Sequence, residues 1–194
     1  MSDLLALDVA LLLPPDAGER AVRVSAALPS HESQGLRLAA EYLPHITLVQ
    51  QFVQVDDLEA IFARADMALR EVTSMTIRVT GGGKGSSAVW MAVERTPALS
   101  SLHERLMQAL RAFERPGGGP AAFFDLDARP GDVAWVNGYR QASSLSAYTP
   151  HITLGHAATP PHVDPFTFEA STVAVCHLGR FCSCRRVLRR WELD

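Results

Sequence analysis

The chain has 194 residues, of which 47% are hydrophobic and 20% are charged, and its formal net charge is −3. This composition is typical of one globular domain of ordinary size, and it excludes a fibrous or largely disordered chain. The weakly negative charge argues against broad electrostatic binding of nucleic acid, although a local basic cleft is compatible with it.

The cysteines and the first residues of the chain bear on the cellular compartment. All three cysteines lie between Cys176 and Cys184, so their odd number predicts no disulfide framework. The apolar run at the start is interrupted by Asp8, has no basic segment before it, and is too short to span a bilayer. We therefore expect a cytoplasmic protein without a membrane partner.

The first hundred residues contain the patterns of both strands and helices. The apolar run over 4–13 ends at Pro14 and Pro15, which predicts a buried first strand. Helical spacing of apolar residues, with Asp56 as one capping residue, places helices between the later strands. We predict strands over 4–13, 45–53, 75–80 and 88–93, helices over 17–28, 56–72 and from Thr96-Pro97 onward, and a short strand or loop over 36–40.

The second half of the chain is less regular. From Arg115 to Ser146 the sequence starts with the breaker RPGGGP and shows little periodicity, which is typical of a functional or mobile segment. Residues 152–156, 166–178 and 185–193 have the pattern of strands. About three helices and seven or eight strands in mixed order predict an α+β fold.

One short phrase occurs twice in the chain. YLPHITL occupies residues 42–48 and YTPHITL occupies residues 148–154, and the two agree at six of seven positions. Because alternate residues of a strand face the same side, each copy presents one histidine and one threonine together, above two apolar residues that anchor the strand. The core needs only the apolar residues, so the recurrence of both polar residues favours a chemical role. These polar residues are His45 and Thr47 in the first copy, and His151 and Thr153 in the second.

Two such units facing one cleft would suit displacement at a phosphorus atom. Since histidine titrates near neutral pH, one imidazole can act as a general base and the other as a general acid, each worth about 10²–10⁴-fold in rate. The two threonine hydroxyls can donate hydrogen bonds to the non-bridging oxygens of the phosphate. This set of residues requires no metal or other cofactor. The near-symmetric sequence leaves open which histidine is the base.

The paired motifs resemble those of a known family. Two His-hydrophobic-Thr motifs about a hundred residues apart, in a chain of this size, are similar to those of the 2H phosphoesterase superfamily. That superfamily includes 2′-5′ RNA ligase-like proteins and RNA 2′,3′-cyclic phosphodiesterases. The resemblance implies that residues 1–194 form a single bilobal catalytic domain. It also implies two pseudo-symmetric antiparallel sheets, with helices on the outside and a central cleft.

The resemblance further implies an activity and its residues. His45 and His151 would be the catalytic pair, while Thr47 and Thr153 would bind phosphate without a metal. The implied reaction is hydrolysis of 2′,3′-cyclic phosphates on RNA ends or small cyclic nucleotides, and no obligate protein partner is expected. The alternatives are a 2′-5′ RNA ligase or 2′-5′ phosphodiesterase, and a module that binds an RNA end or nucleotide without turnover.

Four further residues are candidate substrate contacts. Tyr42 and Tyr148 stand three residues before the motif histidines, where they could stack a base or pack beside the prolines. Arg180 and Arg185 belong to a basic run that is either a solvated strand edge or a rim contacting RNA phosphates.

Three other signals are interpreted structurally. GGGKGSS at 81–87 lacks the order of a phosphate-binding loop and precedes a strand, so a turn is predicted. CHLGRFCSC at 176–184 has no usual zinc spacing, so structural thiols are favoured over metal ligands. His156 follows His151 by five residues, and strand parity predicts that it faces away from the motif.

Overall fold

The computed structural model describes residues 4–39 and 41–194. In these residues the chain forms four α-helices and eight strands, and the strands make two four-stranded antiparallel sheets. This arrangement confirms the predicted α+β fold. Residues 36–39 of the segment predicted as a strand or loop are irregular, and Ala40 lies outside the described residues. No helix in the described ranges has the length and apolar character needed to cross a membrane.

The helices and strands have the following bounds. The strands are β1 (Leu4–Leu12), β2 (His45–Gln54), β3 (Met75–Lys84), β4 (Ala88–Val93), β5 (His151–His156), β6 (Phe166–Ala170), β7 (Thr172–Gly179) and β8 (Ser183–Glu192). The helices are α1 (Pro15–Ala26), α2 (Leu58–Leu69), α3 (Pro97–Ala109) and α4 (Pro130–Ala142). The first sheet has the order β2-β1-β7-β8, and the second has the order β5-β4-β3-β6.

Three predicted elements differ from the structure. A 3₁₀ turn over Val55–Asp57 precedes α2, so the expected capping role of Asp56 is wrong. The predicted strand over 166–178 is two strands, of which β6 belongs to the second sheet and β7 to the first. The irregular segment contains α4, which starts at a proline in its first turn and is held by a capping box between Arg129 and Asp132.

The two sheets carry the same irregularity next to each motif. Where β1 pairs with β2, the register slips by one residue at Leu48, and where β4 pairs with β5, it slips at Leu154. Each slip is a β-bulge that directly follows a motif threonine, and the extra residue of a bulge lies outside the regular ladder. The two halves of the fold are therefore alike down to the position of one inserted residue.

Each bulge is held by a helix that comes from the other half of the fold. Helix α1 packs on β5 and α3 packs on β2. The Ser25 hydroxyl of α1 donates to the carbonyl of Leu154 at 2.6 Å, and His103 Nδ1 of α3 donates to the carbonyl of Leu48 at 2.6 Å. The carbonyl groups at the bulges are thus paired, as buried backbone acceptors need to be.

Candidate active site

The four motif residues lie on β2 and β5 as the sequence predicts. The apolar residues between and after them are fully buried in the core, whereas the histidines and threonines are only partly buried. The two strands approach each other where the sheets meet. We call His45 and Thr47 the first half-site, and His151 and Thr153 the second half-site.

Both motif histidines are held in the same way. His45 Nδ1 lies 2.7 Å from the carbonyl of Leu43, and His151 Nδ1 lies 2.8 Å from the carbonyl of Thr149. Because a carbonyl only accepts, each Nδ1 must carry the hydrogen. In the neutral ring, Nε2 therefore keeps its lone pair and can take up a proton.

The environment favours the neutral form of both rings. Burial lowers the pKa of His45 below its ordinary value of 6.5, while the hydrogen bond to Leu43 opposes this effect. Burial also lowers the pKa of His151, the bond to Thr149 opposes it, and positive charge on His45 lowers it further. Because charge on one ring disfavours charge on the other, the pair takes up its first proton more readily than its second. A singly protonated pair offers one base and one acid.

Asp8, on β1, also belongs to the site. In the sequence this residue was noted only because it interrupts an apolar strand. Its side chain is 0% exposed, and its Oδ2 lies 2.9 Å from Thr47 Oγ1 and 2.6 Å from Gln50 Nε2. Burial raises the pKa of Asp8 from the ordinary value of 3.8 to about 8, although the bonds to Gln50 and Thr47 act in the opposite direction. His45 Nε2 is 3.7 Å from the same oxygen. The raised pKa of Asp8 and the lowered pKa of His45 both favour the uncharged forms, so the two groups do not form an ion pair near pH 7.

Gln50 joins Asp8 to helix α4. The indole nitrogen of Trp135, on α4, donates to Gln50 Oε1 at 2.8 Å. An indole N–H can only donate, so the Gln50 amide must turn its NH₂ group towards Asp8. The segment without sequence periodicity therefore supplies a side chain that orients the site.

The two half-sites differ in the residues that the neighbouring strand places beside them. The facing pairs are Gln50 with Asp8 and Thr47 with Ala10 in the first half, and His156 with Ala88 and Thr153 with Trp90 in the second. An acid thus accompanies the first half-site and an indole accompanies the second. The extra residue in each bulge changes which later residues share a face with the motif. The residue five positions after each motif histidine therefore lies on the same face as that histidine. The expectation that His156 faces away from the motif is wrong.

The Trp90 side chain packs against the glycine-rich segment. Its ring centroid is 5.0 Å from that of His151. A Cβ atom on Gly83 would overlap the indole nitrogen, and one on Gly85 would lie 3.3 Å from the six-membered ring. Strand β3 continues to Lys84, so the turn predicted over 81–87 occupies only the last residues of that range. The glycines of this range leave room for the indole.

The tyrosine that precedes the second motif is a buried support of the site. Tyr148 is 3% exposed, its hydroxyl donates to the carbonyl of Thr47 at 3.0 Å, and its ring stacks on His103 at 3.9 Å. This position links the two half-sites and leaves little ring surface for a substrate base.

The other candidate contacts lie near the turn between β7 and β8. The Arg185 guanidinium lies 4.4 Å from the centre of the Tyr42 ring, and it forms a 2.7 Å ion pair with Asp125. Arg180 lies 5.0 Å from the ring of Phe181. Arg185 is thus already paired with an acid, which reduces the charge that it can offer to a phosphate.

Among the described residues, one group of three donors could converge on a metal ion. The ligand atoms of Asp8, His45 and Cys184 lie within 4.8 Å of one another. The donors of a tetrahedral zinc ion lie about 3.3–3.8 Å apart, so this group would have to contract and lose the protons of its acid and thiol. Cys176 is buried in the same core layer, while His177 is bonded to the carbonyl of Ala122.

Comparison with known proteins identifies the family. The model of the 2′-5′ RNA ligase superfamily matches residues 14–175. The chain belongs to this superfamily. Its membership confirms the expected relation to the 2H phosphoesterases, and no curated protein sequence matches the chain significantly.

Solved structures share the fold over the whole chain. Escherichia coli LigT complexed with 3′-AMP has a TM-score of 0.65 and 20% sequence identity, with 98% of this chain and 99% of that chain covered. LigT complexed with ATP gives 0.65 at 19% identity, covering 100% and 99% of the two chains. TT0787 of Thermus thermophilus gives 0.63 at 18% identity, covering 97% and 98%. At this identity the likeness concerns the fold, and it confirms the predicted 2H phosphoesterase-like architecture.

Proposed function

We propose that this 2′-5′ RNA ligase superfamily protein hydrolyses 2′,3′-cyclic phosphates of RNA ends or nucleotides without a metal. The observation that carries the proposal is the equivalent anchoring of the two motif histidines. Each ring uses Nδ1 to bind the carbonyl two residues before it, which leaves Nε2 available for proton transfer. Binding alone would not need two histidines prepared in this way, whereas general acid–base catalysis does.

The difference between the half-sites suggests the role of each histidine. The Trp90 indole, seated beside His151, offers a surface on which a nucleobase can stack. A base bound there would bring the leaving ribose oxygen towards His151. Attack in line with the leaving group would then place the water near His45, which neutral Asp8 does not hold in the protonated state.

In the proposed reaction the protons and bonds balance. His45 Nε2 takes a proton from water as its oxygen bonds to phosphorus, and the bond from phosphorus to one ribose oxygen breaks. His151 Nε2 donates its proton to that ribose oxygen. Thr47 and Thr153 donate hydrogen bonds to the non-bridging oxygens, which carry the developing charge. The products are a ribose hydroxyl and a phosphate monoester.

A substrate panel with matched histidine variants tests the activity. The pure protein should hydrolyse 2′,3′-cyclic nucleotides and RNA with a cyclic end in the presence of EDTA. His45→Ala and His151→Ala should each lose about 10²–10⁴-fold in kcat, whereas the exposed His162→Ala serves as a control and should retain activity. Full activity in either motif variant would contradict the proposal. Analysis of the products would reveal 2′-5′ ligation, and tight binding without turnover would support a binding module.

A substrate with a good leaving group tests the separate roles. A nitrophenolate needs no proton when it leaves, so a p-nitrophenyl phosphodiester bypasses the general acid. On this substrate we expect His151→Ala to recover most of its lost rate relative to wild type, and His45→Ala to remain slow. Recovery of His45→Ala instead would reverse the assignment.

A further inference from the structure

The buried acid of the first half-site has no counterpart in the second. Asp8 faces Gln50 across the β1–β2 ladder, and the equivalent position on β4 is Ala88. Within the described part of the chain, Thr47 is therefore the one motif threonine that has a carboxyl group within hydrogen-bond distance, at 2.9 Å. Two threonines that share one chemical task are thus placed in different hydrogen-bond environments.

The single hydrogen of the Thr47 hydroxyl makes this difference matter. A hydroxyl donates one hydrogen bond, either to Asp8 or to a ligand in the cleft. If Asp8 is ionised, its carboxylate can only accept hydrogen bonds, and the Thr47 hydroxyl must donate its one hydrogen to Oδ2. If Asp8 is protonated at Oδ2, the acid donates to Thr47 Oγ1 and the threonine hydrogen is free. The state of Asp8 therefore decides whether Thr47 can donate to a phosphate oxygen.

The neighbours of Asp8 are compatible with the protonated acid. Oδ2 can accept from the Gln50 amide at 2.6 Å, whose orientation Trp135 fixes, while its own hydrogen points to Thr47. The other carboxyl oxygen, Oδ1, is buried and has no hydrogen-bond partner among the described residues, which is unfavourable for a carboxylate. Burial raises the pKa of Asp8 to about 8.

Among the described residues, none of the groups that face Asp8 or act on it carries a permanent positive charge. The titratable groups that face Asp8 or act on it come from β2, β7, β8, the turn before β8, helix α4 and the segment before β5. Of these groups, His45 is the one that can carry a positive charge. These groups are His45, Cys176, Cys184, Cys182, Tyr139 and Tyr148. Burial raises the pKa of the Cys182 and Cys184 thiols and of both tyrosines, so these four also stay neutral.

We propose that Asp8 is a positioning residue that works as a neutral acid, donating a hydrogen bond to Thr47 so that the threonine hydroxyl donates to the substrate phosphate. The inference rests on the proposed phosphate-binding role of Thr47. Ionisation of Asp8 reverses the Thr47 hydroxyl and places a negative charge behind the phosphate. The first half-site is then switched off while the second, which has no acid, is unchanged.

A double-mutant cycle separates this role from a general effect on folding. In Asp8→Asn, one atom cannot both donate to Thr47 and accept from Gln50, so we expect kcat/KM for 2′,3′-cyclic AMP to fall by about tenfold or more. In the Thr47→Val background the same substitution should cost less than about twofold, and in the Thr153→Val background the full loss should return. An equal loss in both backgrounds would overturn the proposal.

The pH profile gives a second readout that a structural role would not change. Above neutral pH, loss of the acid histidine's proton gives log(kcat/KM) a slope of about −1. In the wild type this slope should steepen to about −2 above pH 8, where Asp8 also ionises, and in Asp8→Asn it should stay near −1. A wild-type profile that never steepens would overturn the proposal.

Two measurements remain decisive without turnover. Carbon-13 NMR of the aspartate carboxyl groups in the wild type, assigned with Asp8→Asn, should show one carboxyl that titrates near pH 8. A midpoint below about pH 5 would overturn the proposal. Sulfate binding should show the same Thr47-dependent cycle. If both results hold and no cyclic phosphate is hydrolysed, the proposed enzymatic function fails while the Asp8 inference stands.

Discussion

Replacement of Asp8 by asparagine should change how the stability of the protein depends on pH. The side chain keeps its shape in Asp8→Asn but no longer titrates. In the wild type, burial raises the pKa of Asp8 from 3.8 in the unfolded chain to about 8 in the native protein. Between these values the native state binds more protons than the unfolded state, so stability falls as pH rises.

The size of this effect follows from the two pKa values. At about 1.36 kcal/mol for each pKa unit, ionisation of Asp8 removes on the order of 5 kcal/mol of unfolding free energy between pH 4 and pH 8. The full contribution is present below pH 3.8, and no further loss occurs once the pH is well above 8. Asp8→Asn lacks this loss, so its stability relative to the wild type should increase by a similar amount across the same range.

Urea unfolding of both proteins from pH 4 to pH 9 measures the difference. The histidines outside the first half-site whose pKa values are lowered are present in both proteins, so their contributions cancel in the comparison. Asp127→Asn, at an exposed position, is the matched control for the loss of one carboxyl group. A difference between Asp8→Asn and the wild type that stays constant over this pH range would refute the reasoning, because it would mean that Asp8 is ionised in the native protein at all these pH values.

Two further substitutions probe the substrate surface and the link between the half-sites. Trp90→Ala should raise KM for 2′,3′-cyclic AMP by about tenfold through loss of stacking, but leave a cyclic phosphate without a base unaffected. Gly83→Ala should have the same selective effect by displacing the indole, and equal losses on both substrates would contradict a base-binding role. Tyr148→Phe should lower the unfolding free energy by about 1 kcal/mol, since the carbonyl of Thr47 loses its donor. Thermal unfolding measures this change, and a variant as stable as the wild type would show that the hydrogen bond contributes nothing.

The sequence predicted those parts of the fold that depend on local pattern. Alternating and helical periodicities identified most strands and three of the four helices, and the repeated phrase placed its histidines and threonines on one face of each strand. Helix α4 was missed because Gly131 and Gly138 weaken its helical pattern and the breaker at 115–120 precedes it. Its start nevertheless has a signal, a proline in the first turn followed by Asp132 at the third helical position, where an acidic side chain can complete a capping box.

The role of Asp8 was beyond the sequence for a different reason. Its contacts reach Thr47 and Gln50, which lie on another strand some forty residues later, and they depend on the bulge at Leu48. Strand parity without the bulge would turn Gln50 to the opposite face, which is the same reasoning that misplaced His156. A one-residue insertion in a ladder has no clear sequence signal here, yet it decides which side chains can reach the site.

The hydrogen bonds at the two bulges connect the two half-sites. The N–H of Leu38, in the segment before the first motif, donates to Ser25 Oγ at 2.9 Å, and Ser25 in turn holds the bulge carbonyl of the second motif strand. In the opposite direction, the N–H of Leu145, before the second motif, donates to His103 Nε2 at 2.8 Å. His103 holds the bulge carbonyl of the first motif strand.

Each approach segment is therefore fixed to the strand of the other half-site. This reciprocal arrangement has one unequal part, because serine does not titrate near neutral pH and histidine does. His103 can accept from Leu145 only while it is neutral, and burial lowers its pKa, which protects that state. Protonation of His103 in acid would remove the acceptor of the Leu145 N–H. The segment from Leu145 to His151, which includes Tyr148, would then lose this hydrogen bond to α3. Loss of this hydrogen bond as the pH falls would therefore act on the second half-site, whereas ionisation of Asp8 affects the first half-site as the pH rises.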